Sequence, residues 1–156
     1  MEPATDPVRV QQDPFDPGAE VNAFTARVAG AGAGAGAVVS FLGLTRDTAD
    51  GDLDAMVIEH FPGMTETALA TIRQDAVTRF ALHDALVIHR YGRLVPPEPI
   101  MMVATAARHR ADAFAAAEFL MDYLKSRAPF WKQEITARGA SWVAARDADE
   151  DALKRW

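Results

Sequence analysis

The chain has 156 residues and no cysteine. That absence excludes disulfides, thiolate metal sites, a cysteine nucleophile and a persulfide carrier together. Histidine is scarce. His60, His83, His89 and His109 are scattered without metal-ligand spacing, so no metal is expected. No phosphate-loop pattern is present either, and no cofactor is expected. Positive charge is in the minority: 16 lysines and arginines face 22 aspartates and glutamates, for a net charge of −6. Nucleic-acid and membrane-surface binders need a broad basic face, so neither partner is expected. No apolar run approaches the roughly 20 residues that span a bilayer. The start, Met1 to Asp6, lacks a basic segment followed by an apolar one, and a cytoplasmic protein is the expectation.

About half the residues are apolar, enough for one globular domain with a sizeable core. Pro7, Pro14 and Pro17 make residues 1 to 17 an irregular or edge segment. Residues 18 to 29 can form a short helix with Val21, Phe24 and Val28 on one face. The alternating glycines and alanines from Gly30 to Ala37 read as a flexible connector. A first division therefore falls at 37/38, with the main domain in 38–156. Val38 to Leu44 and Ala55 to Phe61 read as two strands of a hairpin. A helix follows, with Thr65 as its expected cap and Ala68, Leu69, Ile72, Ala76 and Phe80 at helical spacing. Residues 85 to 91 and 100 to 105 are further strands. Asp112 to Arg127 is the strongest helix, with Phe114, Ala117, Met121 and Leu124 on one stripe, and Pro129 ends it. A short strand is expected at 141–143 and a helix at 147–156. Strands and helices mix without a βαβ repeat, so the fold class is α+β.

Chemistry concentrates in four places. Arg108-His109-Arg110 precedes the strongest helix, where cations oppose the helix dipole unless an anion binds. Lys125 lies one turn after Met121, at the border of an apolar face. Partial burial there would lower its pKa and make it a usable base or nucleophile. Lys132 and Glu134 share one side of an extended segment, beside Phe130-Trp131. Arg46 stands just past the end of a strand. His60 and His89 lie among apolar residues and read as structural. These residues leave three classes open: a group-transfer enzyme, a module that only captures a carboxylate, and a phosphoester-processing enzyme. The last would show metal ligands or a carboxylate pair.

Glu59-His60-Phe61-Pro62-Gly63-Met64, His109-Arg110 and Lys125-Ser126-Arg127-Ala128-Pro129-Phe130-Trp131-Lys132 together closely resemble the large, catalytic subunits of molybdopterin synthases. So do Trp142-Val143-Ala144-Ala145-Arg146 and the ending Lys154-Arg155-Trp156. The similarity runs from about Val38 to the last residue. The resemblance implies an α+β fold with an α/β hammerhead core. It implies a sulfurtransferase of molybdenum cofactor biosynthesis that converts cyclic pyranopterin monophosphate into molybdopterin. The sulfur arrives as a thiocarboxylate on the C-terminal Gly-Gly of a small ubiquitin-like subunit. The assembly is a homodimer within a heterotetramer. Lys125 and Lys132 match the family's catalytic lysines, with Lys125 the first choice. Leu44, Thr45, Arg46, His109, Arg110, Gln133, Glu134 and Arg146 match substrate-binding positions, and Arg146 is expected to reach the site of a second protomer. Phe41 and Met121 match pocket-lining positions. The missing cysteine then has a meaning, because the sulfur must come from a partner.

Overall fold

The computed structural model describes residues 4–32, 34–144 and 146–156. Two four-stranded sheets and four α-helices make up the described residues. The first sheet is built from β1 (Val8–Gln11), β2 (Ala37–Leu44), β4 (Asp84–Arg90) and β6 (Pro99–Ala107), in the order β1-β4-β6-β2. The second holds β3 (Ala55–His60), β5 (Gly92–Leu94), β7 (Phe130–Thr136) and β8 (Gly139–Trp142), in the order β5-β3-β7-β8. The α+β class expected from the sequence is the one observed.

Strand alternation splits the apolar residues of the first sheet between two cores. Val87, Met101 and Val103 face α2 (Met64–Phe80) and α3 (Arg110–Ser126). Leu86, Ile88, Met102 and Ala104 face α1 (Pro17–Gly30), whose Phe24 and Val28 cover them. β4 and β6 are therefore buried on both faces, which is why they read as continuous apolar runs. β1 pairs in parallel with β4. The segment before residue 37 thus adds an edge strand to the first sheet and a helix that covers its second face. The last glycine of the Gly-Ala run is also packed: Gly36 donates to the Ala107 carbonyl at 2.9 Å. A Cβ at Gly36 would lie 2.3 Å from the Arg108 carbonyl oxygen, so only glycine fits. Ala33, in the middle of that run, lies outside the described residues.

Three expectations are corrected. β2 and β3 do not form a hairpin: β2 pairs with β6 in one sheet and β3 pairs with β5 and β7 in the other. Propensity finds strands, but partners are chosen by distant residues. Thr65 is not the helix cap. α2 starts at Met64, after Gly63 at φ +85°, and the Gly63 N–H donates to Glu66 Oε2 at 2.6 Å. The expected stripe of α3 is corrected at one position: Ala117 and Leu124 are buried and Met121 is half-buried, but Phe114 is 63% exposed, and Ala113, Ala116, Phe119 and Leu120 complete the buried face. Phe114 lies beyond the edge of that face, and periodicity alone did not mark where the face ends.

Candidate active site

The site is assembled where α3 ends. Pro129 has no N–H and pushes its neighbour out of helical geometry, so α3 stops at Ser126. The chain turns, with Phe130 N–H on the Ala128 carbonyl at 2.9 Å, and enters β7. Thr65, fully buried, pins this turn. Its Oγ accepts from Phe61 N–H at 3.1 Å and donates to the Pro129 carbonyl at 3.2 Å. Lys125 thus lies in the last turn of α3 and Lys132 on the third residue of β7.

Phe130 and Lys132 fall on one face of β7, opposite His60 and Ile58 of β3. That face turns toward the core. Phe130 stacks on His89 of β4, with ring centroids 3.8 Å apart at 17°. His60 lies 6.5 Å from Phe130 and 4.2 Å from Tyr91. Lys132 borders this wall of rings. Burial pulls its pKa from 10.5 to about 8, the charge of Lys125 adds to the fall, and Asp149 opposes it. Neither lysine has an ion pair among the described residues. Asp122, the acid nearest Lys125 on its own helix, instead receives Arg155 Nη2 and Trp156 Nε1, both at 2.7 Å. The burial expected at Lys125 falls on Lys132, and Lys125 is exposed. A tethered pair of unpaired lysines, one partly desolvated, favours an anion between them and can exchange a proton near neutral pH.

The other anticipated residues divide by position. Leu44 is the last residue of β2 and Thr45 and Arg46 follow it, with Thr45 N–H on the Glu98 carbonyl at 2.8 Å. Gly43 opposes Met101, and Met101 opposes His89, so this corner lies at the lysine end of the first sheet. Thr45 is buried, and its Oγ has no partner among the described residues. Phe41 lies on the same sheet face as Val39 and Val103, toward α3, and is 43% exposed. Met121 is half-buried one turn before Lys125. Glu134 shares the Lys132 face, whereas Gln133 points to the opposite face, as alternation dictates. Arg146 precedes α4 (Asp147–Ala152) and is exposed. The segment leading to it bonds β7, through Val143 N–H to the Lys132 carbonyl at 2.8 Å.

His109 and Arg110 do not join the lysines. They stand at the N-terminus of α3, and Ala107 beside them pairs with Ala37, at the far end of β2 from Arg46. Fifteen residues of helix separate Arg110 from Lys125, about 22 Å. Phe130 was expected beside Lys132, whereas His89, the ring stacked on Phe130, was read as structural and not placed in the site. The only signal was a histidine inside the apolar run Leu86-Val87-Ile88-His89.

The fold and this corner define an α+β chain that sets two lysines, one of them partly desolvated, beside a wall of rings and carries no cysteine. The model of the MoaE protein family matches residues 10–127, and the chain belongs to that family. It is 66% identical over 149 residues to the molybdopterin synthase catalytic subunit of Cereibacter sphaeroides, covering 96% of this chain and 99% of that one. Among solved structures, the molybdopterin biosynthesis MoaE protein from Burkholderia ambifaria superposes with a TM-score of 0.80 at 49% identity, covering 96% of each chain. Molybdopterin synthase from Staphylococcus aureus superposes with a TM-score of 0.79 at 25% identity, covering 90% of this chain and 99% of that one.

Proposed function

We propose that this chain is the catalytic subunit of a molybdopterin synthase, acting in the cytoplasm. It binds cyclic pyranopterin monophosphate and installs the dithiolene sulfurs. The donor is the C-terminal Gly-Gly thiocarboxylate of a small ubiquitin-like subunit. The observation that carries this reading is the unpaired Lys125–Lys132 corner, with Lys132 near pKa 8, in a chain without cysteine.

The thiocarboxylate sulfur attacks a side-chain carbon of the pterin and forms a C–S bond as that carbon's bond to an oxygen of the cyclic phosphate breaks; the opened phosphate stays attached through its other ester oxygen, and the partner's acyl group is left on sulfur as a thioester. Water then breaks the acyl–sulfur bond and returns a carboxylate to the small subunit. The Lys125 ammonium stabilises the oxyanion of that step. The neutral amine of Lys132 takes the proton of the attacking water. Arg46 holds the phosphate, Phe41 and Met121 line the pterin, and Glu134 faces it from β7.

His109 and Arg110 enter this reading through a second copy. β2 is an open edge of the first sheet and exposes Phe41, Leu42 and Leu44, a surface suited to pairing. A copy laid antiparallel along that edge sets its Ala37 end, with His109 and Arg110, beside the first copy's Leu44-Thr45-Arg46. Arg146 is then free to reach across as well.

The test combines purified thiocarboxylated small subunit, the cyclic pterin and the chain, with dithiolene formation as the readout. Lys125→Ala is expected to abolish product while remaining folded and bound to the small subunit. Full activity in that variant would refute the catalytic assignment, and partner binding without turnover in the unmodified chain would favour a simple capture module.

A further inference from the structure

His89 takes no part in the chemistry above, yet it is only 5% exposed in the corner that holds both lysines. Its side chain lies on the face of β4 that carries Val87, toward α2 and α3. Nδ1 lies 2.8 Å from the Arg90 carbonyl. A carbonyl only accepts, so Nδ1 carries the hydrogen and Nε2 keeps its lone pair. That bond falls where the β4–β6 pairing ends, at His89 opposite Met101, and the chain leaves for the second sheet. Phenylalanine could supply the stack on Phe130 but not this donor. The ring therefore fastens two things at once, the exit of β4 and the entry of β7.

The geometry points to His89 as a positioning residue for Lys132: its uncharged ring holds Phe130, and so the start of β7, and keeps water from the lysine amine. The mechanical part follows from the stack at 3.8 Å and from the two-residue step between Phe130 and Lys132 on one strand face. The electrostatic part follows from the groups around it. The charges of Lys132 of β7, Lys125 of α3 and His60 of β3 act on His89, and that of Asp149 of α4 acts on Lys132. Burial holds the imidazole neutral, with a pKa of about 3; the backbone bond to Arg90 works against this, and the cations around it add to it. A ring that does not charge near neutrality leaves Lys132 with the same surroundings across the working range. This role rests on the proposed function only for what the amine does in turnover.

The decisive measurement is the titration of the Lys132 amine in the full chain. Acetic anhydride labelling from pH 6 to 11, read by mass spectrometry, needs no substrate. Lys132 in the unmodified chain is expected to titrate at about 8. His89→Ala opens the wall, and Lys132 is expected to move by at least about one pH unit toward 10.5. Product formation at pH 7 then falls about tenfold or more through kcat, with KM for the cyclic pterin changed less than about twofold. His89→Phe keeps the ring and is expected to leave the Lys132 titration in place. His89→Gln keeps a donor for Arg90 but loses the ring, and is expected to follow alanine; it serves where the alanine variant does not fold. Identical Lys132 titration in the unmodified chain and in the ring-less variants overturns the inference, as does a His89→Phe shift as large as theirs. Loss of the sulfur-transfer reading with a shifted amine leaves the inference standing.

Discussion

Replacing Lys132 by methionine is expected to stabilise the chain while silencing it. Burial disfavours the ammonium form of Lys132, so its pKa sits at about 8 rather than 10.5, with Lys125 adding to the effect and Asp149 opposing it. Between those two values the unfolded chain binds the proton and the folded chain does not. Folded stability therefore rises with pH across that window, and below about 8 the penalty is present in full. An interval of about 2.5 pH units, at roughly 1.4 kcal/mol each, sets a ceiling of about 3.5 kcal/mol. Methionine keeps most of the apolar stem and its contacts but brings no charge. Asp149 loses an attractive neighbour, which lowers the gain. The expected stabilisation at pH 7 is about 1–3 kcal/mol, shrinking toward zero by pH 10.5. Urea unfolding followed by circular dichroism at pH 7, 9 and 10.5 measures it, and product formation in the same preparation should be lost. A variant less stable at pH 7, or a gain that does not change with pH, would refute the reasoning.

Other outcomes follow from the same corner. Thr65→Val leaves the Phe61 N–H and the Pro129 carbonyl without their hydroxyl partner, and should cost about 1–3 kcal/mol in thermal or urea unfolding. A neutral result would mean that the turn into β7 is held by something else. Arg110→Ala should weaken binding of the cyclic pterin more than binding of the small subunit, as titration calorimetry with each would show. Equal losses would make Arg110 structural. His89, with its pKa at about 3 against 6.5 unfolded, contributes stability that is complete above about 6.5 and declines as pH falls toward 3. Melting temperatures between pH 4 and 7 should fall less steeply in His89→Phe, and equal slopes would count against the buried neutral ring.

The fold was legible wherever local pattern suffices. β4 and β6 announce themselves as double-faced apolar runs, and α2 shows its buried stripe of Leu69, Ile72 and Ala76. Pro129 marks the end of α3 to within a residue. Sheet membership was not legible. β2 and β3 are neighbours in sequence and strangers in space, because β6 and β7, each tens of residues downstream, complete their hydrogen bonds. Nor was β5 visible, since Gly92-Arg93-Leu94 is too short to carry a period.

For the site, the sequence alone determined the chemical inventory: two lysines flanking an aromatic turn, an arginine past a strand, a cationic helix start and no sulfur nucleophile. It also determined the family, through motifs dense enough to stand by themselves. Only the tertiary structure decided which lysine is desolvated, and it chose Lys132 over Lys125. It also set His109 and Arg110 a helix length from both. The physical reason is that residue types and spacing fix what a side chain can do, whereas desolvation and proximity depend on what packs against it. Here those neighbours, His60 of β3, His89 of β4 and Tyr91 just after it, are brought together by strand pairings that the sequence did not reveal.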